Sequence, residues 1–552
     1  TGRGSDNSAQ SKLISTNPGG FDLMTHASSE FATDFRISPN GRYLAFIEHF
    51  QLYLTVMPAQ GLSFNVAPSS HSMPVKQVSE WGADYVNFSK DGKTLNWSIG
   101  PEYKSVRVES FLFDDEPQTS VVNLSQAVDF AKPSGTVALV GGKIITMDAD
   151  RSVIQSGVVL IRENLIQQVG SIDEVTIPED ASVMDITGKV IMPGMIDAHA
   201  HGSYGRDQII PQQNWSLLAH LALGVTTVHN PSSRANQVFA AAEYQKAGRI
   251  LGPRIFSTGE VIYGAKSTGF APVDSLDDAL AHVNRLKAQG AISVKNYNHP
   301  RRSQRQQVIE AARREDLLVV AEGASLFHQD MNLIADGSTG VEHNIPTLKI
   351  YDDVVQFWQQ SSTGYTPTLV VTYGGLTSED YYYQDTEVWK HHLLANFVPP
   401  TELQARSVRR IMAPEEDFRD DDSAAAAKLL LEAGVTVNTG AHGQREGLAT
   451  HWELWSFVRG GMSPMQALSL ATVNPARYLG MDQELGSIEV GKLADLLVLD
   501  ADPLENIRHS DRIHWVVING RIFNASNLHE TLTGDAKLRP LWWYGKPQYE
   551  IR

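Results

Sequence analysis

His199 and His201 stand two residues apart at the end of an apolar run, Val190-Ile191-Met192-Pro193-Gly194-Met195-Ile196-Asp197. Residues two apart on a strand point to the same side, so both imidazoles can reach one ion, and neutral imidazole is a good ligand for zinc and similar divalent metals. Such a pair alone is weak evidence, because accidental pairs are frequent. A pair that closes a buried strand behind Pro193, Gly194 and Asp197 is much stronger. The chain has 0 cysteines, so thiol chemistry and disulfides are excluded and any metal must be held by nitrogen and oxygen.

The elements that must position these residues follow from periodicity. From about 195 to 480, short apolar strands such as 224–228, 291–295, 317–321 and 434–438 alternate with amphipathic helical stretches, which predicts an α/β fold with a (β/α)8 TIM-like barrel. Strands in 131–194 and again in 481–530 flank it, and predict a small β-sandwich built from both flanks, followed by a tail over 531–552. Within 1–130, Phe35-Arg36-Ile37-Ser38-Pro39-Asn40-Gly41 and Val86-Asn87-Phe88-Ser89-Lys90-Asp91-Gly92 each read as strand, tight turn, strand, with Asn-Gly and Asp-Gly supplying the positive φ of a hairpin. This is an N-terminal all-β partial propeller. A closed ring needs at least about four blades, so the remaining propeller blades are expected upstream or on another chain.

The order of these motifs resembles the amidohydrolase superfamily. The resemblance is carried by the run from Val190 to His201, by Val319-Val320-Ala321-Glu322-Gly323, by Gly340-Val341-Glu342-His343-Asn344, by Asn438-Thr439-Gly440-Ala441-His442-Gly443, and by the C-terminal phrases around Ser463-Pro464, Asn474-Pro475 and Gly486 to Leu496. Ser463 also reads as a helix N-cap with Pro464 at the first helical position. The Ser-Pro-Asn-Gly and Ser-Lys-Asp-Gly phrases resemble repeats of TolB-like propellers, so from about residue 30 onward the chain is similar to TolB-fused amidohydrolases. The resemblance implies metal ligation by His199, His201, Lys295, Glu322 and His343, with Lys295 converted by CO₂ to a carbamate that bridges two ions. An unmodified lysine beside two cations would be repelled. Two departures stand out: Glu322 takes a place usually held by histidine, and His442 a place usually held by a metal-binding aspartate. A carboxylate is a competent hard ligand, and a neutral imidazole can take a proton from water and return it to a leaving group, so His442 is the expected catalytic residue. Glu342 reads as facing the opposite side of its strand in a structural role, and His451 as a helix-start residue.

These readings predict two divalent ions per chain, zinc first, and hydrolysis of a C–N bond in a small-molecule amide, by metal-activated water. Tyr297, His299 and Arg301, with Arg302, follow Lys295 in the loop where barrels contact substrate, and Tyr373 is a comparable candidate; an arginine there could grip a carboxylate. Lactone or phosphotriester hydrolysis is the alternative on the same site. A decayed propeller-barrel scaffold is the alternative from another class. No Gly-x-Ser-x-Gly elbow or phosphate-binding Gly-x-x-x-x-Gly-Lys loop anchors a serine or nucleotide mechanism. At 552 residues with 63 acidic against 46 basic side chains, a net charge of -17 argues against nucleic acid, and no apolar run is long enough to insert in a membrane. A homo-oligomer is expected. The chain begins at Thr1, so a natural start upstream and a removed leader are expected, with a periplasmic or secreted location, the cytoplasm being the alternative.

Overall fold

The computed structural model describes residues 10–59, 63–71, 73–114, 118–206, 209–265, 267–323, 326–347, 349–406, 410–534 and 536–544. The outermost residues of the expected propeller region and of the expected tail, 1–9 and 545–552, lie outside the described residues. Contacts divide the chain into two compact units, Thr1–Ala127 with Glu260–Leu317, and Val128–Gly259 with Leu318–Arg552.

The first unit carries three antiparallel-dominated sheets. Strands Ala32–Ile37, Tyr43–Glu48, Gln51–Val56 and Val75–Gln77 form one, and Asp84–Phe88, Thr94–Ile99, Glu102–Arg107 and Thr119–Asn123 form another. Their hairpins share a turn: Gly41 N–H donates to the Ser38 carbonyl and Gly92 N–H to the Ser89 carbonyl, both at 2.8 Å. Only the glycines have positive φ, +71° and +69°, while Asn40 and Asp91 do not. The turn is therefore type I, with Pro39 favoured at its second position, and not the doubly left-handed turn that an Asn-Gly pair suggests. These sheets pack on helix Leu276–Gln289 of the same unit. The Arg285 guanidinium lies 3.8 Å from the Phe50 ring centroid, and a Cβ at Gly100 would meet the Ala288 carbonyl at 2.6 Å. The helix starts at a reciprocal cap, in which Ser275 accepts from Asp278 N–H and Asp278 from Ser275 N–H.

The second unit holds a set of parallel strands. Parallel pairing runs Leu318–Glu322, Gly340–Glu342, Gly364–Thr366, with a further bridge from Tyr365 to Val437. Ala198 N–H then donates to the Thr439 carbonyl at 3.0 Å, joining Met195–Asp197, which pairs with Val225–Asn230 and that with Arg254–Ser257. Seven successive segments thus share one direction, as in a β/α barrel. The strand Ser293–Asn296 belongs to the first unit.

The flanks meet in one continuous eight-stranded sheet and not two separate ones. Strand Val190–Pro193 pairs on one side with Thr136–Ile145 and on the other with Leu496–Leu499. Alternation along Leu496–Leu499 assigns its side chains: Leu496 and Val498 enter the sheet's own core with Val137, Ile161 and Ile191, and Leu497 and Leu499 enter the core beneath the parallel strands. One strand thereby closes two cores. Helix Pro464–Leu470 begins as its sequence dictates, with Ser463 Oγ accepting from Gln466 N–H.

Candidate metal centre

The C-terminal ends of the parallel strands converge on four imidazoles. His199 follows Met195–Asp197, His343 follows Gly340–Glu342, and His442 lies beyond Val437. Ligand atoms of His199, His343 and His442 all lie within 4.8 Å of one another. Ring centroids are 4.9 Å apart for His199 and His201, 4.9 Å for His199 and His343, and 4.7 Å for His201 and His442. His199 and His343 are buried, while His201 and His442 are half-buried, so the cluster has a closed and an open side.

Two pairs already have the spacing of ligands on one ion. His199 Nε2 and His201 Nε2 are 3.2 Å apart, and His343 Nε2 is 3.3 Å from Glu322 Oε2. Two atoms bound tetrahedrally at roughly 2.0 to 2.1 Å sit about 3.3 Å from each other. The ring nitrogens on the far side are engaged as well: His199 Nδ1 lies 2.5 Å from Glu342 Oε2, and His343 Nδ1 lies 2.8 Å from Thr368 Oγ1. A hydrogen bond at Nδ1 leaves Nε2 to bind metal. The donor set fits a divalent ion.

The backbone is bent to make this arrangement. His343 and His442 have φ of +74° and +59°, and Thr368 +48°, conformations unfavourable to residues with a Cβ and found where surrounding contacts hold them. His442 N–H donates to the His199 carbonyl at 2.6 Å. A Cβ at Gly440 would stand 2.7 Å from the His199 Cβ, and one at Gly443, whose φ is +76°, would overlap the His201 carbonyl oxygen. Asp197 binds the two strand ends together, accepting from His199 N–H and Ala441 N–H at 3.1 Å and from the Thr450 hydroxyl at 2.9 Å. Burial raises its carboxyl to about 6 against those three hydrogen bonds.

The remaining expected residues fall in several places. Tyr373 stands at the open side, its ring 5.2 Å from that of His343 and its side chain 40% exposed. Lys295 lies one residue before the end of strand Ser293–Asn296 of the first unit and is buried. In that same unit the Tyr297 ring packs edge-on against Tyr263 at 5.4 Å. His299 is buried, its Nδ1 accepting from Gly264 N–H at 2.9 Å, and burial with the nearby Arg305 charge holds it down at about 4. Arg301 pairs with Asp274 at 2.7 Å at the surface, and Arg302 opens helix Arg302–Arg314. His451 is buried, its ring 2.8 Å from the Leu223 carbonyl and 2.9 Å from Ser510 Oγ.

Sequence reasoning missed the residues that hold the ligands. Glu342 does not turn away from the cluster but touches His199 from below, and Thr368, Asp197 and Tyr478 support it. Only Asp197 carried a signal, as the carboxylate two residues before a histidine pair.

A parallel-strand scaffold thus carries clustered imidazoles and a carboxylate at its C-terminal ends. Residues 190–523 match the model of the Amidohydrolase family, and the chain belongs to that family. It is 23% identical over 426 residues to human dihydropyrimidinase-related protein 5, covering 68% of this chain and 73% of that protein. It is 24% identical over 422 residues to imidazolonepropionase of Symbiobacterium thermophilum, covering 67% of this chain and 91% of the relative. Among solved structures, a Xaa-Pro dipeptidase with bound methionine in the active site superposes with a TM-score of 0.54 at 20% identity, covering 71% of this chain and 100% of that one.

Proposed function

We propose that this protein is a metal-dependent hydrolase that cleaves a C–N bond in a small-molecule amide, dipeptide-like or cyclic amide. The carrying observation is the pair of ligand-like spacings, 3.2 Å between His199 and His201 and 3.3 Å between His343 and Glu322, with the opposite nitrogens of His199 and His343 already engaged. The names of the imidazolonepropionase and dipeptidase relatives support the bond class.

In this reading His199, His201, Glu322 and His343 hold divalent ions, zinc first. Lys295 is read as a carbamate, which exchanges the cation of a lysine for an anionic oxygen ligand. Divalent ions here supply Lewis-acid polarisation of a carbonyl and acidify water. His442, on the open side, takes the proton from the attacking water at an imidazole nitrogen and gives it to the leaving nitrogen. His199 and His343 form the buried wall that excludes bulk water, and Tyr373 borders the entrance where a substrate would rest. The two N-terminal four-stranded sheets are read as propeller blades.

Loading the protein with zinc and screening N-acylated amino acids and dipeptides tests the bond class. His199→Ala tests the metal: bound metal and turnover are expected to vanish together, and full turnover by the metal-free variant overturns the proposal.

A further inference from the structure

We infer that Tyr478 is a positioning residue for the histidine cluster, acting through Glu342 to fix which nitrogen of His199 faces an ion. The inference rests on the metal-binding reading above. Tyr478 ends helix Val473–Tyr478, and the preceding Asn474 anchors that helix by donating to the Val437 carbonyl at 3.0 Å. Its ring crosses two neighbouring parallel strands at the points where each has glycine. A Cβ at Gly340 would collide with the Tyr478 hydroxyl, and one at Gly364 would stand 2.8 Å from Tyr478 Cδ2. The glycines therefore make room for a ring whose hydroxyl has a carboxylate target.

That target is Glu342. The Tyr478 hydroxyl donates to Glu342 Oε1 at 2.8 Å, and Glu342 Oε2 lies 2.5 Å from His199 Nδ1. Glu342 and His199 are 0% exposed and Tyr478 only 6%. A carboxylate accepts hydrogen bonds and cannot donate them, so the partner at Nδ1 is an N–H, and Nε2 is left with its lone pair on the His201 side. Tyr478 holds the second carboxylate oxygen and so restricts rotation about its terminal torsion, orienting the plane that meets His199. Supporting groups of this kind typically alter metal affinity about 10- to 100-fold.

Tyr478→Phe keeps the ring and removes only the hydroxyl. Zinc affinity is expected to fall about tenfold, the lower end of that range, because Tyr478 acts one group further from the ligand. The same substitution in a Glu342→Gln background is expected to cost little more, because the two act in series. An unchanged affinity in folded Tyr478→Phe overturns the inference, as does an equal loss in both backgrounds. Histidine-selective ¹⁵N NMR of the metal-free full chain gives a readout independent of the metal. His199 is expected to show protonated Nδ1 in the wild type and a shifted mixture of tautomers in Tyr478→Phe, whereas identical His199 signals overturn the inference. Failure of the wild type to bind zinc would sink the metal reading alone, and the NMR comparison would still decide the role of Tyr478.

Discussion

A single carbon atom at residue 443 separates two effects that are usually mixed. Gly443 has φ of +76° and backs onto His201, whereas Gly480 has φ of +72° with nothing within 4 Å of its missing Cβ. Alanine at either position meets the same backbone penalty, about 1 to 2 kcal/mol. Only Gly443→Ala must also move His201. Both variants are expected to lose a few degrees of thermal stability, but only Gly443→Ala should lose turnover, about a hundredfold for a displacement near 1 Å. Steady-state kinetics beside thermal melts of the two proteins check this. His199 and His201 were visible in the sequence because the pair closes an apolar strand at ligand spacing, and His343 and His442 because their phrases resemble those of the amidohydrolase superfamily. Their supports were not. Glu342 and Tyr478 are 136 residues apart, and no local pattern announces a hydrogen bond across that distance; the glycines at 340 and 364 reveal it only once their neighbour is known.

At the scale of elements, helix Leu448–Arg459 carries two buried groups of opposite pH behaviour. Burial holds His451 down at about 4, while burial raises Glu453 well above the usual carboxylate range. The unfolded chain takes up a proton at histidine near 6.5, the folded helix only near 4. The stability His451 contributes is therefore complete above pH 6.5 and is lost progressively as pH falls to about 4. Glu453 works in the other direction, because its folded form keeps a proton that the unfolded chain releases. Replacing His451 with Gln is expected to flatten the acid side of the stability profile by about 1.4 kcal/mol per pH unit across that window, as read by urea unfolding at several pH values. Elements of this kind were only partly legible. Ser463 and Pro464 announced a helix start, and the flanking apolar strands announced a domain shared by both flanks, read as a β-sandwich where the structure has one sheet. The parallel strands Gly340–Glu342 and Gly364–Thr366 are three residues each, too short for periodicity to register. The hairpin turns were located correctly by Asn-Gly and Asp-Gly, but in both the glycine alone takes the positive φ and follows the two central residues.

For the whole molecule, the sheet that joins both flanks is the decisive feature. Leu496, Leu497, Val498 and Leu499 are all 0% exposed, and burying such side chains contributes roughly 1.5 to 3 kcal/mol each as an upper range. Their sum is comparable to a domain's entire net stability of about 5 to 15 kcal/mol. A chain ended after residue 490 is expected to be insoluble or to melt without a cooperative transition, although every histidine of the cluster is still present; soluble yield and calorimetry would show it.

The same arrangement dictates an order of birth. As the chain leaves the ribosome, strand Val190–Pro193 emerges some three hundred residues before the segment that pairs with it, so it must wait with one edge bare while the histidine-bearing region is made. Whatever shields that edge during the wait, a chaperone or the nascent chain's own collapse, governs how much active protein a cell obtains.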